Sequence, residues 1–332
     1  MSASRQDQWI NANTLLVDSG MGGALGVTAV YLVIGRRTCL IDAGTAAEAP
    51  YLVGRLKKLK HFPPDVLVIT HPHWDHAQGV PFIRREARRA GKEIRVLAAA
   101  DALPLLKDKA FNEPFGGGPY HGVDGVAPLR DGELIDLGGI WLHVLDAPGH
   151  CTGHIALLDH TNATLFVGDS IGYKTAGGMY QPPFMPPAWD RAAFLATIEK
   201  FRRVPFRTLC LSHFGCLTGD AARALLDEAV RDLPEWWDVF TRNAGRIDET
   251  EYLVRALSAR FGPLCGGVRP LALSRRLGLR LMPRRRREAL IERAVTRPFV
   301  SWLAAGYKMA TGQQAHGSPP GTIGSPPGPT AP

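Results

Sequence analysis

Three of the chain's 11 histidines fall within six positions: His71, His73 and His76 of the stretch THPHWDHAQG, with Asp75 just before the last. Imidazole and carboxylate are both good Zn2+ ligands, at about 2.0–2.2 Å. His71 and His73 stand two apart just past an apolar run, so a turn there lets both face one point. Asp75 and His76 reach a second point nearby. Taken alone, such a cluster is also compatible with a polar turn. Distant parts of the chain weigh against that: His150 follows IWLHVLDAPG, Asp169 follows TLFVG and His213 follows TLCLS. Each is a ligand-capable side chain at the exit of an apolar, strand-like run. Strand exits are where an α/β scaffold points side chains into a shared crevice, and three such coincidences fit a metal site better than core histidines.

His71-x-His73-x-Asp75-His76, with His150, Asp169 and His213, resembles the full motif set of the metallo-β-lactamase-fold hydrolases. LIDAG (40–44) and APGHCTGHIALLD (147–159) resemble the glyoxalase II-like branch, and PPFMPPAWD through LSHFG (182–215) looks like uncharacterised prokaryotic members of it. The resemblance covers about residues 12–220. It implies an α+β fold, an αββα four-layer metallo-β-lactamase-like sandwich with a C-terminal helical region and a two-metal site between the sheets. Carried over by position, His71, His73 and His150 hold one ion, Asp75, His76 and His213 hold the other, and Asp169 bridges. The resemblance favours two divalent metal ions, Zn2+ first, with Fe and Mn compatible with nitrogen and oxygen ligands. A bridging carboxylate at Asp169 argues against a true β-lactamase.

Two cations about 3.5–4 Å apart would bring the pKa of a water toward neutrality, so that hydroxide attacks a carbonyl carbon whose oxygen one cation polarises. The expected catalytic residues are Asp75 and Tyr173. Asp75 would be both a ligand and the orienter of the nucleophile, and would shuttle a proton to the leaving group. Lactone-cleaving relatives use a tyrosine near the place of Tyr173 to hold the substrate carbonyl; a plain loop tyrosine is the other reading. Asp42, at the end of TCLID, is expected to accept a hydrogen bond from a ligand imidazole and fix its tautomer, or else to cap a turn. Tyr180, Phe184, Met185 and Trp189 either line an apolar pocket or pack against the body. FNEPFGGGPYHG (111–122) lacks the strand and helix that flank a phosphate-binding loop, and reads as a lid or a surface loop. His154 reads as structural, and Cys151 and Cys216 as small apolar groups beside ligand residues.

The elements that must position these residues are legible as apolar runs. TAVYLVI (28–34) and TCLIDAG (38–44) read as strands paired across the turn GRR, and DVLVIT (65–70) as a buried strand ending at the histidine cluster. Further strands are expected at 93–99, 140–147, 154–159, 164–169 and 208–213, with helices at 49–62, about 79–91 and about 190–203. Beyond 220 apolar residues recur at three- and four-residue intervals, as in ETEYLVRALSARFG, so the chain divides into 1–220, the catalytic unit, and 221–312, a helical region anchored by Trp236 and Trp237. The last stretch, 313–332, is a Gly/Pro/Ser tail with almost nothing apolar to bury, and is expected to stay solvated.

At 332 residues and 45% hydrophobic the chain has material for a large core. Its five cysteines are odd in number and scattered, which reads as a reduced, cytoplasmic protein. No signal peptide and no membrane span are expected. The net charge of +8 gathers in Arg269, Arg275, Arg276, Arg280 and Arg284 to Arg287, a solvated helix face or a surface for an anionic partner. The expected function is hydrolysis of an acyl bond in a small-molecule thioester, ester or lactone, by a chain that acts alone or as a homodimer. Glutathione-binding residues of the glyoxalase II helical part find no match here. A phosphodiesterase or nuclease is the alternative on the same scaffold, disfavoured because the basic residues lie away from the ligand loops, so nucleic acid is not the expected partner. A mononuclear-iron persulfide dioxygenase shares much of the motif and is the redox alternative.

Overall fold

The computed structural model describes residues 7–116, 120–174, 178–270 and 284–312. Seven strands form one sheet, in the order Asp7–Trp9, Thr14–Asp18, Ala29–Ile34, Thr38–Ile41, Val66–Ile69, Arg95–Ala99 and Ala127–Leu129. The pairings are antiparallel as far as Thr38–Ile41 and parallel beyond it. The expected pairing across Gly35–Arg37 is present, from Tyr31 opposite Ile41 to Ile34 opposite Thr38. Helices Ala49–Lys58 and Val80–Arg89 make the crossovers into the next parallel strands. The VLVI run is buried at every position, as befits a parallel strand covered on both faces.

A second sheet of six strands has the order Gly215–Thr218, Thr208–Leu211, Thr164–Gly168, Ile155–Asp159, Trp141–Asp146 and Leu134–Asp136. Its pairs are antiparallel except Thr164–Gly168 with Thr208–Leu211. Successive strand side chains point to opposite faces, and this sheet sorts accordingly. Val144, Ile155, Leu157, Phe166 and Cys210 join the core shared with the first sheet, whereas Ala156, Leu158, Leu165, Val167, Leu209 and Leu211 join a second core on the far side. The two sheets and the helices packed on their outer faces make the four layers.

The far core is roofed by helices Arg191–Arg202, Asp220–Arg242, Thr250–Phe261 and Arg297–Thr311. Trp236 stacks on Phe261 at 4.5 Å within the helical end, whereas Trp237 packs on Tyr307 at 4.7 Å and also on Phe184 of the body at 5.3 Å. Helix Arg297–Thr311 lies close to the backbone at Phe184: a Cβ on Gly306 would stand 2.1 Å from the Phe184 carbonyl oxygen, so only glycine permits this approach.

The structure trims two expectations. The helix read over 49–62 ends at Lys58, because Pro63 and Pro64 follow closely and Lys60 takes φ 62. The strands Asp7–Trp9, Thr14–Asp18 and Gly215–Thr218 were not expected; two of them are short and carry little apolar signal. Arg275, Arg276, Arg280 and the tail 313–332 lie outside the described residues. Among the described residues no helix is long and apolar enough to cross a membrane.

Candidate metal centre

Strand exits from both sheets meet at one place. His71 and His73 follow Val66–Ile69, and Asp75 and His76 sit on the short helix Trp74–Ala77. His150 lies beyond Trp141–Asp146, Asp169 directly after Thr164–Gly168, and His213 in the turn between Thr208–Leu211 and Gly215–Thr218. Gly168 has φ 54, and a Cβ there would come within 2.8 Å of the His154 ring, so glycine is needed to deliver Asp169. His154 stacks on His71 at 4.6 Å, and its Nε2 accepts the Asp169 amide at 3.1 Å. It supports ligand-capable residues without facing into the cluster.

All seven side chains converge. His73 Nδ1 is 3.1 Å from His71 Nε2 and 2.8 Å from His150 Nε2. Asp75 Oδ2 is 3.2 Å from His213 Nε2 and 3.6 Å from His76 Nε2. Between these two groups stands Asp169, whose Oδ2 is 3.5 Å from His76 Nε2, 3.5 Å from His213 Nε2, 3.7 Å from His150 Nε2 and 3.8 Å from His71 Nε2. A tetrahedral ion with bonds of about 2.0–2.2 Å needs ligand atoms about 3.3–3.6 Å apart. The separations around Asp169 and His76 lie at or near this range. Those of His73 Nδ1 are shorter, at 2.8 and 3.1 Å. The donor set has the chemistry that a pair of divalent cations requires. Buried His76 Nε2 and Asp169 Oδ1 have no hydrogen-bond partner, and buried polar atoms ordinarily have one.

The outward nitrogens explain why the inward ones are free. His76 Nδ1 donates to Asp42 Oδ2 at 2.8 Å. Thr70 Oγ1 lies 3.0 Å from His71 Nδ1 and donates onward to Asp42. His150 Nδ1 donates to the Pro183 carbonyl at 2.7 Å, and His213 Nδ1 to that of Val27 at 2.9 Å. A donor on one side of an imidazole leaves a lone pair on the other. His73 is held differently, its ring wedged by Phe111 and Phe115 at 5.5 and 4.8 Å. Asp42 also accepts the Thr70 amide at 2.8 Å and the Ser212 hydroxyl at 3.2 Å, so it orients an imidazole and ties loops together at once. Thr70 and Ser212 were missed in the sequence although each immediately precedes a histidine of the cluster; the Pro183 and Val27 carbonyls have no side-chain signature at all.

Charge divides the cluster. Burial, reinforced by the neighbouring imidazoles, holds His71 well below the usual histidine pKa. Burial also lowers His73 and His150. Burial opposes a proton on His76 too, but Asp169, Asp75 and Asp42 together overcome it and hold His76 well above the ordinary value. His213 is raised in the same way, by Asp169 and Asp75 against burial. Asp169, despite burial, is held well below the carboxylate range by His213 and His76. The pocket around the carboxylates thus calls for positive charge. Cys151, fully buried beside His71, His73 and His150, stays protonated because of burial and then the Asp169 charge.

An aromatic wall stands over His73. Asn112 accepts the Trp74 amide at 2.9 Å and donates to the Pro72 carbonyl, bolting the segment Lys109–Phe115 to the ligand loop. Trp302, from the C-terminal helix, donates to the Phe115 carbonyl at 2.8 Å and packs on Trp74 at 6.0 Å, so that helix closes over the site. Residues 117–119 of the glycine-rich stretch lie outside the described residues. Tyr173 is buried with its ring 5.1 Å from that of His213, and burial, with the charges of Asp169 and Asp75, keeps its hydroxyl protonated. Tyr180, Phe184 and Met185 are buried in the far core, and Phe184 packs on Trp189, Trp237 and Phe240, so these residues serve packing.

The sequence profile of the metallo-beta-lactamase superfamily matches residues 22–213. A hydroxyacylglutathione hydrolase from Ruegeria pomeroyi is 31% identical over 180 residues, covering 53% of this chain and 57% of that protein. Another, from Fuscovulum blasticum, is 32% identical over 192 residues, covering 57% of this chain and 62% of that protein. The chain thus spans less than two thirds of the length of these curated relatives. An archaeal metallo-beta-lactamase superfamily protein from Sulfolobus tokodaii, of known structure, superposes with a TM-score of 0.54 at 21% identity, over 66% of this chain and 85% of that one; this likeness is one of fold.

Proposed function

This chain belongs to the metallo-beta-lactamase superfamily, and from that membership we propose that it is a dinuclear-metal hydrolase that cleaves an acyl bond in a small-molecule thioester, ester or lactone. The observation that carries this reading is the position of Asp169, with one carboxylate oxygen 3.5–3.8 Å from four imidazole nitrogens drawn from both groups. In this reading His71, His73 and His150 hold one cation, Asp75, His76 and His213 the second, and Asp169 joins them. Two divalent ions so held, Zn2+ being the first choice, would acidify a water and stabilise negative charge on a carbonyl oxygen.

The chain's own residues supply the rest. Asp75 is the most exposed carboxylate of the cluster, partly open to solvent, and orients the attacking water before passing its proton to the leaving group. Tyr173, kept neutral and hydrogen-bonded to Asp169, would turn its hydroxyl hydrogen to the substrate carbonyl. Asp42 fixes the His76 tautomer directly and that of His71 through Thr70. The half-buried rings of Trp74, Tyr120 and Trp302 offer an apolar flank to the acyl group. The names of the relatives favour a thioester within this class. All five cysteines are free, which suits a reducing cytoplasm.

Elemental analysis of the purified chain, coupled to a screen of thioesters, lactones and phosphodiesters, tests the proposal. Two metal equivalents with turnover of an acyl substrate are expected. One iron equivalent, or cleavage of phosphodiesters alone, would overturn it.

A further inference from the structure

The hairpin that carries His213 has a cysteine on each strand. Cys210 and Cys216 stand directly opposite each other in the antiparallel pairing of Thr208–Leu211 with Gly215–Thr218. The type of that pairing follows from its far end, where the Gly219 amide donates to the Arg207 carbonyl at 2.8 Å. Those two residues continue the same register, so theirs is a hydrogen-bonded pair. Opposed pairs alternate in type along an antiparallel ladder, which makes Leu209 with Leu217 hydrogen-bonded and Cys210 with Cys216 not. Pairs of the latter type bring their Cα atoms to about 4.5 Å, with the side chains close. A disulfide spans about 4.4–6.8 Å between Cα atoms.

Both side chains also share a face. Leu209, Leu211 and Leu217 turn to the far core, whereas Cys210 and Cys216 pack into the core between the sheets. Cys210 is fully buried and Cys216 half-buried, so an oxidant meets Cys216 first and finds a second thiol directly behind it.

We propose that Cys210 and Cys216 form a redox-active pair that closes reversibly to a cross-strand disulfide when the protein meets a peroxide. The Cys216 sulfur attacks the peroxide O–O bond, becoming a sulfenic acid and releasing one water. The Cys210 sulfur then displaces the hydroxyl as a second water. Two thiols are oxidised, one peroxide is reduced, and the two thiol protons leave in the waters. Burial raises both thiol pKa values, so closure is slow beside that of an exposed, acidic cysteine. The new bond would cross the neck of the turn that holds Ser212 and His213, where the Tyr31 hydroxyl already reaches the carbonyls of Leu211 and Gly215 at 2.6 and 2.9 Å. It would therefore restrain the backbone carrying His213 in a redox-dependent way.

The test is exposure of the metal-loaded full chain to hydrogen peroxide, followed by denaturing alkylation and mass analysis. Alkylatable thiols should fall from five to three, with an intact mass lower by two hydrogens, one cross-linked peptide pair containing both residues, and full reversal by dithiothreitol. Cys216→Ser should keep its four thiols under the same exposure. An unchanged count, a cross-link between other cysteines, disulfide-linked dimers, or oxygen added to Cys216 without a cross-link would each overturn the proposal.

Discussion

His76 Nδ1 lies 2.8 Å from Asp42 Oδ2, while Oδ1 of the same carboxylate accepts the Thr70 amide at 2.8 Å. Asp42 makes these contacts from a left-handed backbone conformation, φ 66, which Asp and Asn tolerate better than other side chains with a Cβ. Asp42→Asn therefore preserves the backbone and removes the charge. It should weaken metal retention about 10–100-fold, with a smaller loss of thermal stability than Asp42→Ala. Chelator competition and thermal unfolding of the two variants measure the two effects separately. Equal metal retention in both variants and the parent chain would remove Asp42 from the support of the site.

His71 is fully buried, and its Nε2 lies within 4 Å of both His73 Nδ1 and Asp169 Oδ2. Its truncation takes a donor from the first group and leaves the second group complete. His71→Ala should lose about one metal equivalent and nearly all turnover. Metal analysis beside a rate measurement checks this, and full retention of both would contradict the ligand assignment.

Much of this centre is legible in the sequence because its residues follow long apolar runs. The VLVI and TLFV strands announce themselves, and His71 and Asp169 come at or just past their exits. Asp42 is legible for the same reason, at the end of TCLI. What stays hidden has no local pattern. The carbonyls of Pro183 and Val27 look like any others until the fold brings them to His150 and His213. Trp302 meets Phe115 across 187 positions of chain, and Cys210 finds Cys216 only because the short, glycine-led strand Gly215–Thr218, invisible to periodicity, folds back on its neighbour.

Tyr173 is buried against the His213 ring and keeps its proton under the influence of burial, Asp169 and Asp75. If it donates to the substrate carbonyl, its loss acts where charge develops. Removing a donor of that kind typically costs about 10²-fold or more in kcat. Tyr173→Phe should show that loss with metal content unchanged, since every proposed metal ligand remains. Unaltered kcat would make Tyr173 a packing residue.

Metal uptake should release protons unequally. In metal-free protein Asp169 and Asp75 outweigh burial and raise His76 and His213 above the ordinary histidine pKa, whereas burial lowers His71, His73 and His150 below it. A cation entering among Asp75, His76 and His213 should therefore displace more protons than one entering the other group. Affinity falls about tenfold per pH unit for each proton displaced. Acidification should therefore empty the second group first, and the first group only at lower pH. Calorimetric titration in buffers of different ionisation enthalpy counts the protons. Equal counts for the two binding events would contradict this division of charge.

Gly306 sets how near helix Arg297–Thr311 lies to the segment that supports His150. A methyl group there would stand 2.1 Å from the Phe184 carbonyl oxygen, far inside contact distance, so the helix or the segment must move. Alanine has the better helix propensity by about 1 kcal/mol. Overpacking a filled site costs about 1–3 kcal/mol, and here the obstacle is backbone, which yields less readily than a side chain. The overpacking cost should win, and Gly306→Ala should unfold at lower temperature than the parent chain. Because Pro183 precedes Phe184 and accepts the His150 Nδ1 hydrogen at 2.7 Å, the same displacement should slacken His150 and speed metal loss to a chelator. A rise in unfolding temperature would mean that the helix packs more loosely against this segment than the 2.1 Å approach requires.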